Sequence, residues 1–465
     1  MNKLKNIIEP YEIYRETSIP FLKQIPQGWK EYPFYALVNP KSIINNTNEQ
    51  LLSVYLNKGV IPYNQSTGLQ VHKPSQDLTK YQLVEPGDFV MNNQQSWRGS
   101  VGVSRYRGIV SPAYYVFSLS NKINPIYGNY LFRDSVMVNQ FVLSSKGVGS
   151  IQRNLYYPFL KRIRVPLPSR IEQDQIVKYL DYQISKINKF IRVKMQLINV
   201  LKEKKQAVIN KAVTKGLNPN ISLKPSGLEW LGDIPEHWNV TRIKVLFRER
   251  EERKGNLNLE LLTFSRQKGL ILYSEFSDKP PSASDLTQYK VVRKGNLLMN
   301  KMQAWSGMFT SVNVEGVVSP DYSVFEPTKL ADTDYYSYVF KLPNHVQQFA
   351  LASKGVGTGF NRLYTPKFGS IYTILPPLDE QRIIANKIPE LVSEVESSIN
   401  KIQKEIELIN EYKTRLISDV ITGKIDVRNI EIIQVEEEDP DIEYQDLEED
   451  IEELEEVLEG EECEV

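Results

Sequence analysis

The sequence predicts an α+β protein in which two pseudo-symmetric mixed α/β globular domains are separated by two long helices paired as an antiparallel coiled coil. Three observations predict this architecture. The segment Lys146-Gly147-Val148-Gly149 recurs as Lys354-Gly355-Val356-Gly357, 208 positions later. Each copy passes from about 150 residues of short β-prone runs into a long stretch with a heptad pattern. The two heptad stretches share one register, as expected of helices that pair with each other.

The repeat extends along nearly the whole chain at an almost constant offset. Trp97 recurs as Trp305, and Glu172-Gln173 recurs as Glu380-Gln381. Upstream the offset drifts by only one or two positions, so that Trp29 corresponds to Trp238. Solenoid repeats span roughly 20–50 residues, so this much longer period indicates a duplicated domain. The predicted segments are a first globular domain at 1–168, a first long helix at 169–217, a second globular domain at 218–377, a second long helix at 378–428 and an acidic, disordered tail at 429–465.

Each globular segment is predicted to consist mainly of short strands and loops. Runs such as Phe89-Val90-Met91 and Leu297-Leu298-Met299 are interrupted every few residues by Gly, Pro or Asn, which favours strands over long helices. Ser111-Pro112 and Ser319-Pro320 are predicted turns that lead into strands. The first segment ends in a proline-rich exit at 165–169, where proline closes the globular part and opens a helix.

Both long helices carry an apolar seam at alternating spacings of three and four residues. Lys205 and Lys413 occupy equivalent seam positions, where a polar side chain sets the register at some cost in stability. Pro389 is predicted to kink the second helix or to mark a restart, and Gly216 and Gly423 are predicted to end the helices. Two amphipathic helices packed only on their own domains are the alternative. The seam positions are Ile184, Ile187, Ile191, Lys194, Ile198, Leu201, Lys205, Val208 and Ala212 in the first helix, and Val392, Val395, Ile399, Ile402, Ile406, Ile409, Lys413, Leu416 and Val420 in the second.

Composition limits the chemistry that the chain can perform. With Cys463 as the single cysteine, no disulfide can form within the chain. The histidines His72, His237 and His345 have no partners at metal-ligand spacing. No apolar run approaches the roughly 18–20 residues of a membrane span, and no signal-peptide core follows Met1. We therefore expect a cytoplasmic protein without a structural metal.

The balanced formal charge conceals a strong asymmetry along the chain. Residues 436–465 contain 18 of the 57 acidic residues and no Lys or Arg. The rest of the chain therefore has 39 acidic against 57 basic residues, a formal charge of about +18. A body this basic indicates a polyanionic partner such as nucleic acid. The tail is interpreted either as a solubilising segment or as a DNA-mimicking segment that folds back on the body.

No catalytic constellation is evident in the sequence. Ser111-Pro112-Ala113-Tyr114 and its repeat at 319–322 superficially resemble the proline clamp that holds a flipped base in DNA methyltransferases. Both lack the second proline, and no cofactor loop precedes them. The chain also has neither a phosphate-cradling Gly-Lys-Ser/Thr loop nor a Ser-His-Asp arrangement. We therefore expect a non-catalytic chain that binds no cofactor directly.

Two equivalent segments with amide side chains are candidate DNA contacts. They are residues 94–99, Gln-Gln-Ser-Trp-Arg-Gly, and residues 302–307, Met-Gln-Ala-Trp-Ser-Gly. Gln can bond adenine in a bidentate way, and Arg can do so with guanine. The rings of Trp97 and Trp305 are themselves interpreted as anchors of the core. The candidate contact residues are Gln95, Arg98, Gln303 and Ser306.

Two glycine-rich loops form a second pair of candidate contacts. They cover residues 146–153 and 354–362 and carry cations and amides beside the glycines. Backbone N–H groups and cations in such a loop suit phosphate contacts, while the variable residues are left to read base edges. A purely structural hairpin is the alternative. The candidate contact residues are Lys146, Gln152, Arg153, Lys354, Asn361 and Arg362.

This layout resembles the specificity subunit of type I restriction-modification systems. The resemblance is carried by the duplicated entries at 25–29, Ile-Pro-Gln-Gly-Trp, and at 230–238, Trp-Leu-Gly-Asp-Ile-Pro-Glu-His-Trp. It is also carried by Gly-Ile-Val-Ser-Pro at 108–112 and by the proline-rich exits that reach Glu-Gln at the start of each helix. Each motif is weak alone, but their ordered duplication is specific. The resemblance extends to about Arg428 and does not include the acidic tail.

The resemblance implies two target recognition domains, each of which reads one half of a bipartite, asymmetric site in double-stranded DNA. It implies that the two helices set the spacer between the half-sites and dock two methyltransferase subunits for adenine methylation. Those subunits would bring S-adenosylmethionine, and restriction subunits that use ATP and Mg²⁺ would complete the complex. One alternative is a DNA-binding adaptor or regulator that acts without modification partners. Another is a self-sufficient nuclease or methyltransferase, which the missing motifs disfavour.

Overall fold

The computed structural model describes residues 9–56, 58–63, 74–148, 152–265, 269–277, 283, 285–355 and 361–432. The predicted disordered tail, beyond residue 432, and the tips of both glycine-rich loops lie outside the described residues. The described chain forms two compact units. The first contains the residues up to Ile191 together with those from Glu405 onward, and the second extends from Arg192 to Lys404.

Each unit combines a β-rich domain with parts of two long helices. These are the helices at Arg170–Lys215 and Leu378–Ile421, and both are divided between the units. The first unit contains the beginning of the first helix and the end of the second, and the second unit contains the complementary parts. Each β-rich domain is therefore completed by the start of the helix that follows it and by the end of the other helix.

The first β-rich domain is built around a four-stranded antiparallel sheet with short two-stranded pairs beside it. Its strands are β1 (Tyr14–Glu16), β2 (Gln24–Pro26), β3 (Lys30–Pro33), β4 (Val38–Lys41), β5 (Leu52–Tyr55), β6 (Gly59–Pro62), β7 (Gln82–Val84), β8 (Asp88–Asn92), β9 (Val101–Val103), β10 (Gly108–Val110), β11 (Tyr114–Leu119), β12 (Ser145–Val148), β13 (Gln152–Leu155) and β14 (Arg164–Leu167). Its helices are α1 (Pro125–Arg133), α2 (Ser135–Leu143) and α3 (Tyr157–Leu160), followed by α4 (Arg170–Lys215). The order of the central sheet is β4-β11-β8-β9.

The second β-rich domain repeats this arrangement. Its strands are β15 (Leu223–Pro225), β16 (Asp233–Pro235), β17 (Asn239–Arg242), β18 (Phe247–Arg250), β19 (Leu262–Ser265), β20 (Gly269–Leu272), β21 (Lys290–Val292), β22 (Leu297–Asn300), β23 (Phe309–Ser311), β24 (Gly316–Val318), β25 (Tyr322–Pro327), β26 (Lys354–Gly355), β27 (Asn361–Arg362) and β28 (Tyr372–Leu375). Its helices are α5 (Ile243–Leu246), α6 (Tyr273–Phe276), α7 (Thr333–Val339), α8 (Pro343–Ala352) and α9 (Thr365–Ser370), followed by α10 (Leu378–Ile421). The central order β18-β25-β22-β23 matches the first sheet strand for strand.

Aromatic side chains fill the core on one face of each central sheet. In the first domain the ring centroid of Phe34 lies 5.5 Å from that of Phe117 and 6.0 Å from that of Phe132. The ring of Phe89 stacks on that of Phe132 at a centroid distance of 4.3 Å. In the second domain the main core cluster includes side chains from both long helices, such as Val213 and Ile388. The helix ends are therefore part of the domain core, and the fold class predicted from the repeat is confirmed.

The seam lysines find polar partners across the helix pair within each unit. In the first unit Lys413 Nζ donates to Asn188 Oδ1 at 3.0 Å. In the second unit Lys205 Nζ lies 2.6 Å from a carboxylate oxygen of Glu396. The residue number rises by 17 from Asn188 to Lys205 along α4 and falls by 17 from Lys413 to Glu396 along α10, as an antiparallel pair requires. The helices therefore pack on each other as well as on their domains, and the alternative of unpaired helices is wrong.

Glycine ends both long helices, as predicted. Gly216 and Gly423 follow the helix ends with φ angles of 75° and 77°, in the left-handed region that favours glycine. A Cβ atom on Gly423 would also lie 2.5 Å from Cδ of Pro26. Both the conformation and the close approach therefore require glycine at this position.

The predicted restart at Pro389 is wrong, because α10 continues through this residue without a break. Proline removes one backbone hydrogen bond of a helix and costs about 3 kcal/mol or more in its interior. Ile384, Ile388 and Val392 flank Pro389 and are buried in the core of the second unit. Each such side chain contributes about 1.5–3 kcal/mol when it is fully buried, so their burial offsets the cost of the proline.

Candidate nucleic-acid interface

A tight 3-10 turn presents the first candidate segment at the end of β8. Asn92 begins the turn, because its Oδ1 accepts hydrogen bonds from the backbone N–H groups of Gln94 and Gln95 at 3.0 and 3.2 Å. Gly99 ends the turn at a φ of 102°. Trp97 Nε1 donates to the carbonyl oxygen of Gln94 at 2.9 Å. The indole is thus held at the surface by its own turn and is only half-buried.

The β12–β13 hairpin is joined to this turn. The N–H of Leu155 donates to Asn93 Oδ1 at 3.0 Å, which fixes the end of β13 beside the turn. Two guanidinium groups then share one ring, since the Cζ atoms of Arg98 and Arg153 each lie 5.7 Å from the centroid of Trp97. A cation over the face of an indole is attracted by its electron density. The hairpin and the turn therefore form one cluster with a double positive charge.

Lys146 lies on the opposite face of the same hairpin. It pairs with Asn154 in the strand register, whereas Arg153 pairs with Gly147, and successive side chains of a strand point to opposite faces. Lys146 Nζ lies 4.1 Å from the ring centroid of Tyr156 and 5.2 Å from that of Phe159. These two rings are 40% and 46% exposed. They offer an accessible aromatic surface beside a cation.

The second unit builds the equivalent turn at Ala304–Ser306. Trp305 Nε1 donates to the carbonyl oxygen of Met302 at 2.8 Å, and Gly307 ends the turn at a φ of 86°. The indole is 41% exposed. The N–H of Leu363 donates to the carbonyl oxygen of Lys301 at 3.0 Å, so the β26–β27 pair is fixed beside this turn as well.

Arg362 of the second unit has no cationic counterpart in the first unit, because it lies opposite Lys354 in the strand register, where Asn154 lies opposite Lys146. Arg362 Nη2 lies 2.7 Å from Asp321 Oδ1, and its Nε donates to Met302 Sδ at 3.3 Å. The position of Asp321 is occupied by Ala113 in the first unit. The guanidinium of the second hairpin is therefore neutralised and oriented by an acid, while that of the first hairpin lies over a ring.

The remaining predicted residues occupy varied places around the two clusters. Gln303 and Ser306 are half-buried, and Ser306 Oγ donates to the carbonyl oxygen of Gln303 at 2.9 Å within the turn. Gln95 is half-buried and accepts from the N–H of Arg98 through its backbone oxygen at 2.9 Å. Lys354 and Asn361 are exposed. Gln152 begins β13 opposite Val148.

In the described part of the first unit, many basic residues are paired with a carboxylate, whereas the cations of the turn and hairpin are not. Lys41 Nζ lies 2.6 Å from a carboxylate oxygen of Glu85 and 2.6 Å from one of Asp88. Burial lowers the pKa of Lys41, but the hydrogen bonds to the two acids outweigh burial, so the pKa lies above its ordinary value. Among the residues that the structure describes, Arg98, Arg153 and Lys146 have no carboxylate at ion-pair distance. Their charges are therefore available to a phosphate or a base edge.

The structure corrects the prediction for Trp97 and Trp305, which are surface residues and not core anchors. Trp29 and Trp238 fill that role, with exposed fractions of 2% and 0%. The sequence did not indicate Tyr156 and Phe159 as part of the candidate interface, or Asp321 as the partner of Arg362. The position of Tyr156 directly after a predicted basic hairpin was the available signal.

The comparisons with known proteins place these features in one family. A sequence profile described as the type I restriction modification DNA specificity domain matches residues 30–202 and 289–408, which together exceed half of the chain. The chain belongs to this family. Members of this family supply DNA specificity and not catalysis, and the predicted resemblance is confirmed.

Individual relatives agree with this assignment. The MjaVIII type I restriction enzyme specificity subunit of Methanocaldococcus jannaschii is 24% identical over 90% of this chain and 98% of its own length. A second chain of that organism, named for the MjaX specificity subunit, is 26% identical over 76% of this chain and 81% of its own. A chain from a structural study of type I restriction-modification complex assembly has a TM-score of 0.58 at 16% identity, over 86% of this chain and 99% of that one. This last likeness shows that the fold is shared.

Within the described part of the chain, no group of His, Cys, Asp and Glu residues could hold a metal ion. No described helix is long and apolar enough to cross a membrane.

Proposed function

We propose that each β-rich domain reads one half of a bipartite, asymmetric site in double-stranded DNA. One observation carries the proposal: both units present the same turn and hairpin around an accessible indole, but with different side chains. The first unit offers Arg98 and Arg153 over Trp97, whereas the second offers Arg362 beside Asp321. Two similar frames with different contact residues suit two half-sites of different sequence.

The chemistry of the two clusters supports a division between backbone and base contacts. Lys146 and Arg153 project from a hairpin and suit phosphates, which fix the register of a protein on the duplex. The turn residues Gln95, Arg98 and Gln303 carry groups that can reach base edges in the major groove, where Gln suits adenine and Arg suits guanine. The formal charge of about +18 outside the acidic tail supports the electrostatic part of binding.

The long helices are proposed to set the spacer and to dock two methyltransferase subunits. In the second unit Val193, Leu197 and Val200 lie on α4 at spacings of four and three residues, with exposed fractions of 56%, 42% and 58%. Such a stripe, on the side of α4 away from the buried seam, suits an apolar helix of a partner. The methyltransferase subunits would supply S-adenosylmethionine, and restriction subunits would supply ATP-driven activity with Mg²⁺. Such a complex would act on chromosomal DNA in the cytoplasm.

A methylation map tests the proposal directly. The full chain is expressed with its methyltransferase subunit in a host without other adenine methylation, and long-read sequencing locates the modified adenines. We expect one bipartite motif with two unequal halves. Exchange of residues 30–160 for those of a relative should change one half and spare the other. A map in which both halves change together, or in which no bipartite motif occurs, would contradict the proposal.

Point variants locate the contacts within the first half. Arg153→Ala should reduce methylation at the site, because one cation of the Trp97 cluster is lost. Arg162→Ala is the matched control, since Arg162 is an exposed cation of the same domain outside the cluster. Equal loss of methylation in both variants would show that only overall charge matters. Normal methylation in Arg153→Ala would remove this residue from the interface.

A further inference from the structure

The second unit contains a cavity of about 330 Å³ beside the central sheet. Its walls include the rings of Phe247, Phe325 and Phe368, and the residues with polar side chains that line it are Lys244, Glu249 and Thr365. Sites for small ligands usually have volumes of about 300–1,000 Å³ and combine apolar walls with a few polar groups. The cavity meets both conditions.

The first unit fills the equivalent space with tyrosine rings. Tyr157 begins α3 where Thr365 begins α9, and it stacks on Phe117 at 6.3 Å with an interplanar angle of 14°. Tyr115 lies 6.1 Å from Phe117. It pairs with Met91 in the sheet, as Ser323 of the second unit pairs with Met299. Hydroxyl side chains thus replace two rings in the second unit, and the cavity follows from that replacement.

A third exchange adds a carboxylate to the cavity. Glu249 lies opposite Phe325 in the strand register, where the first unit has Pro40 opposite Phe117. Ser323 Oγ donates to Glu249 Oε1 at 2.7 Å, and Thr365 Oγ1 lies 3.3 Å from the same hydroxyl. These three side chains form a polar chain along one side of the aromatic walls.

The carboxylate of Glu249 retains capacity to accept a hydrogen bond from a ligand. Its nearest cation, the buried Lys290, lies 3.9 Å from Oε1 and is closer to Glu251, at 2.8 Å. Among the described residues, Oε2 of Glu249 has no hydrogen-bond partner. A ligand group that donates N–H is favoured there, and a carbonyl edge is disfavoured because two acceptors would face each other.

We propose that this cavity binds a planar heteroaromatic ring with an amino group, a nucleobase of the cytosine or adenine type. The phenylalanine rings would pack on the base, and Glu249 would accept from the exocyclic amino group as acidic side chains do with cytosine. Thr365 follows Arg362 by three residues, and Ser323 follows Asp321 by two. The cavity therefore adjoins the base of the second hairpin. The ring could come from a free nucleoside or from a base turned out of bound DNA.

Free nucleosides test the chemistry without any knowledge of the DNA site. The purified full chain is titrated with cytidine, adenosine and uridine, and binding is followed by saturation-transfer NMR. Cytidine and uridine differ by the amino group that Glu249 would accept, so uridine should bind at least about tenfold more weakly. Equal binding of both would overturn the assignment of Glu249. This arm stands independently of the proposed recognition of a bipartite site.

Two variants place the bound ring. Thr365→Tyr introduces the side chain of the first unit into the cavity and should abolish cytidine binding, and thermal unfolding confirms that the variant folds. Glu249→Gln changes a rim residue and should remove the preference for cytidine over uridine. Tyr157→Phe in the first unit is the matched control and should leave binding unchanged. Cytidine binding that persists in folded Thr365→Tyr, or a preference that survives in Glu249→Gln, would overturn the proposal.

A second arm distinguishes the source of the ring. Duplexes carrying the site from the methylation map receive 2-aminopurine at each adenine, or pyrrolocytosine at each cytosine, in turn, and the fluorescence of the probe reports loss of stacking. A rise with wild-type protein that Thr365→Tyr abolishes, at equal DNA binding, assigns a base turned out of the duplex. Nucleoside binding without this rise assigns a free nucleoside. If neither nucleoside binding nor the rise is observed, the proposal is wrong.

Discussion

Trp29 Nε1 donates a hydrogen bond to Glu172 Oε1 at 2.8 Å, and thereby joins the entry of the first β-rich domain to the start of α4. The hydroxyl of Tyr11 donates to the same oxygen at 2.7 Å. The second unit repeats the relationship between Trp238 and Glu380 at 2.9 Å. The motifs that recur at both ends of each domain therefore meet in space, and one carboxylate holds the domain on its helix.

Replacement of Glu172 by Ala should destabilise the first unit. The indole N–H of Trp29, whose ring is buried, and the hydroxyl of Tyr11 would both lose their acceptor, at a cost of about 1–3 kcal/mol for each unsatisfied group. Glu172→Gln should cost less, because the amide oxygen can still accept. The measurement is the midpoint of urea unfolding. Glu203→Ala, at an exposed position of α4, is the control. A midpoint equal to that of the control would contradict the role assigned to Glu172.

The stability of the second unit should fall as the pH decreases from about 6.5. Burial lowers the pKa of His345 to about 3. The imidazole lies among aromatic rings, with Nε2 3.0 Å from Thr373 Oγ1. Between the ordinary value of 6.5 and about 3, the unfolded chain binds a proton at His345 and the folded chain does not. Stability is therefore lost as pH falls through this window, by at most about 1.4 kcal/mol per pH unit.

Unfolding of His345→Gln as a function of pH checks this expectation. The glutamine cannot bind the proton, so the slope of stability against pH between 6.5 and 4 should become shallower than in the wild type. His237→Gln changes an exposed histidine that is bonded to Glu380 and serves as the control for histidine loss in general. An unchanged slope in His345→Gln would show that other groups govern the acid sensitivity.

The sequence predicts the buried residues of the helix pair but does not predict which tryptophans lie at the candidate interface. Buried seam residues such as Ile187 and Ile399 follow a period that local geometry imposes, so the sequence predicts their places. The tryptophans show the limit, because Trp29 and Trp97 both recur at nearly constant offsets although one is buried and the other lies at the surface. Recurrence reports a shared fold and does not report burial. The exposure of Trp97 depends on a turn closed by Asn92 and Gly99, and on a hairpin distant in sequence.

Removal of Asp321 should strengthen DNA binding and increase its dependence on salt. In the present structure the carboxylate neutralises Arg362 at 2.7 Å. Asp321→Ala would free this cation, and one more phosphate contact should steepen the slope of log K against log salt by about 0.9. Fluorescence anisotropy of a labelled duplex across a range of salt concentrations measures the slopes of the wild type and the variant.

A general charge effect is separated from this specific one by Glu275→Ala. Glu275 is an exposed acid of the second unit without an ion pair among the described residues. Its removal changes the net charge equally but frees no hairpin cation. If Glu275→Ala steepens the slope as much as Asp321→Ala does, the ion pair with Arg362 has no particular role in DNA binding.

The length of the helix pair should set the distance between the half-sites. Asn188 faces Lys413, and Lys205 faces Glu396, so an added heptad keeps the seam in register only if both helices receive it. Insertion of seven residues between 201 and 202 and of seven between 399 and 400 lengthens the pair by about 10 Å, at about 1.5 Å per residue. That distance is about three base pairs of about 3.4 Å each. The methylation map should therefore show the same bases with a spacer about three base pairs longer.

Insertion into α4 alone breaks the facing pairs and should reduce methylation at every spacing. If the doubly extended chain methylates the original spacer with full efficiency, the helices do not set the distance.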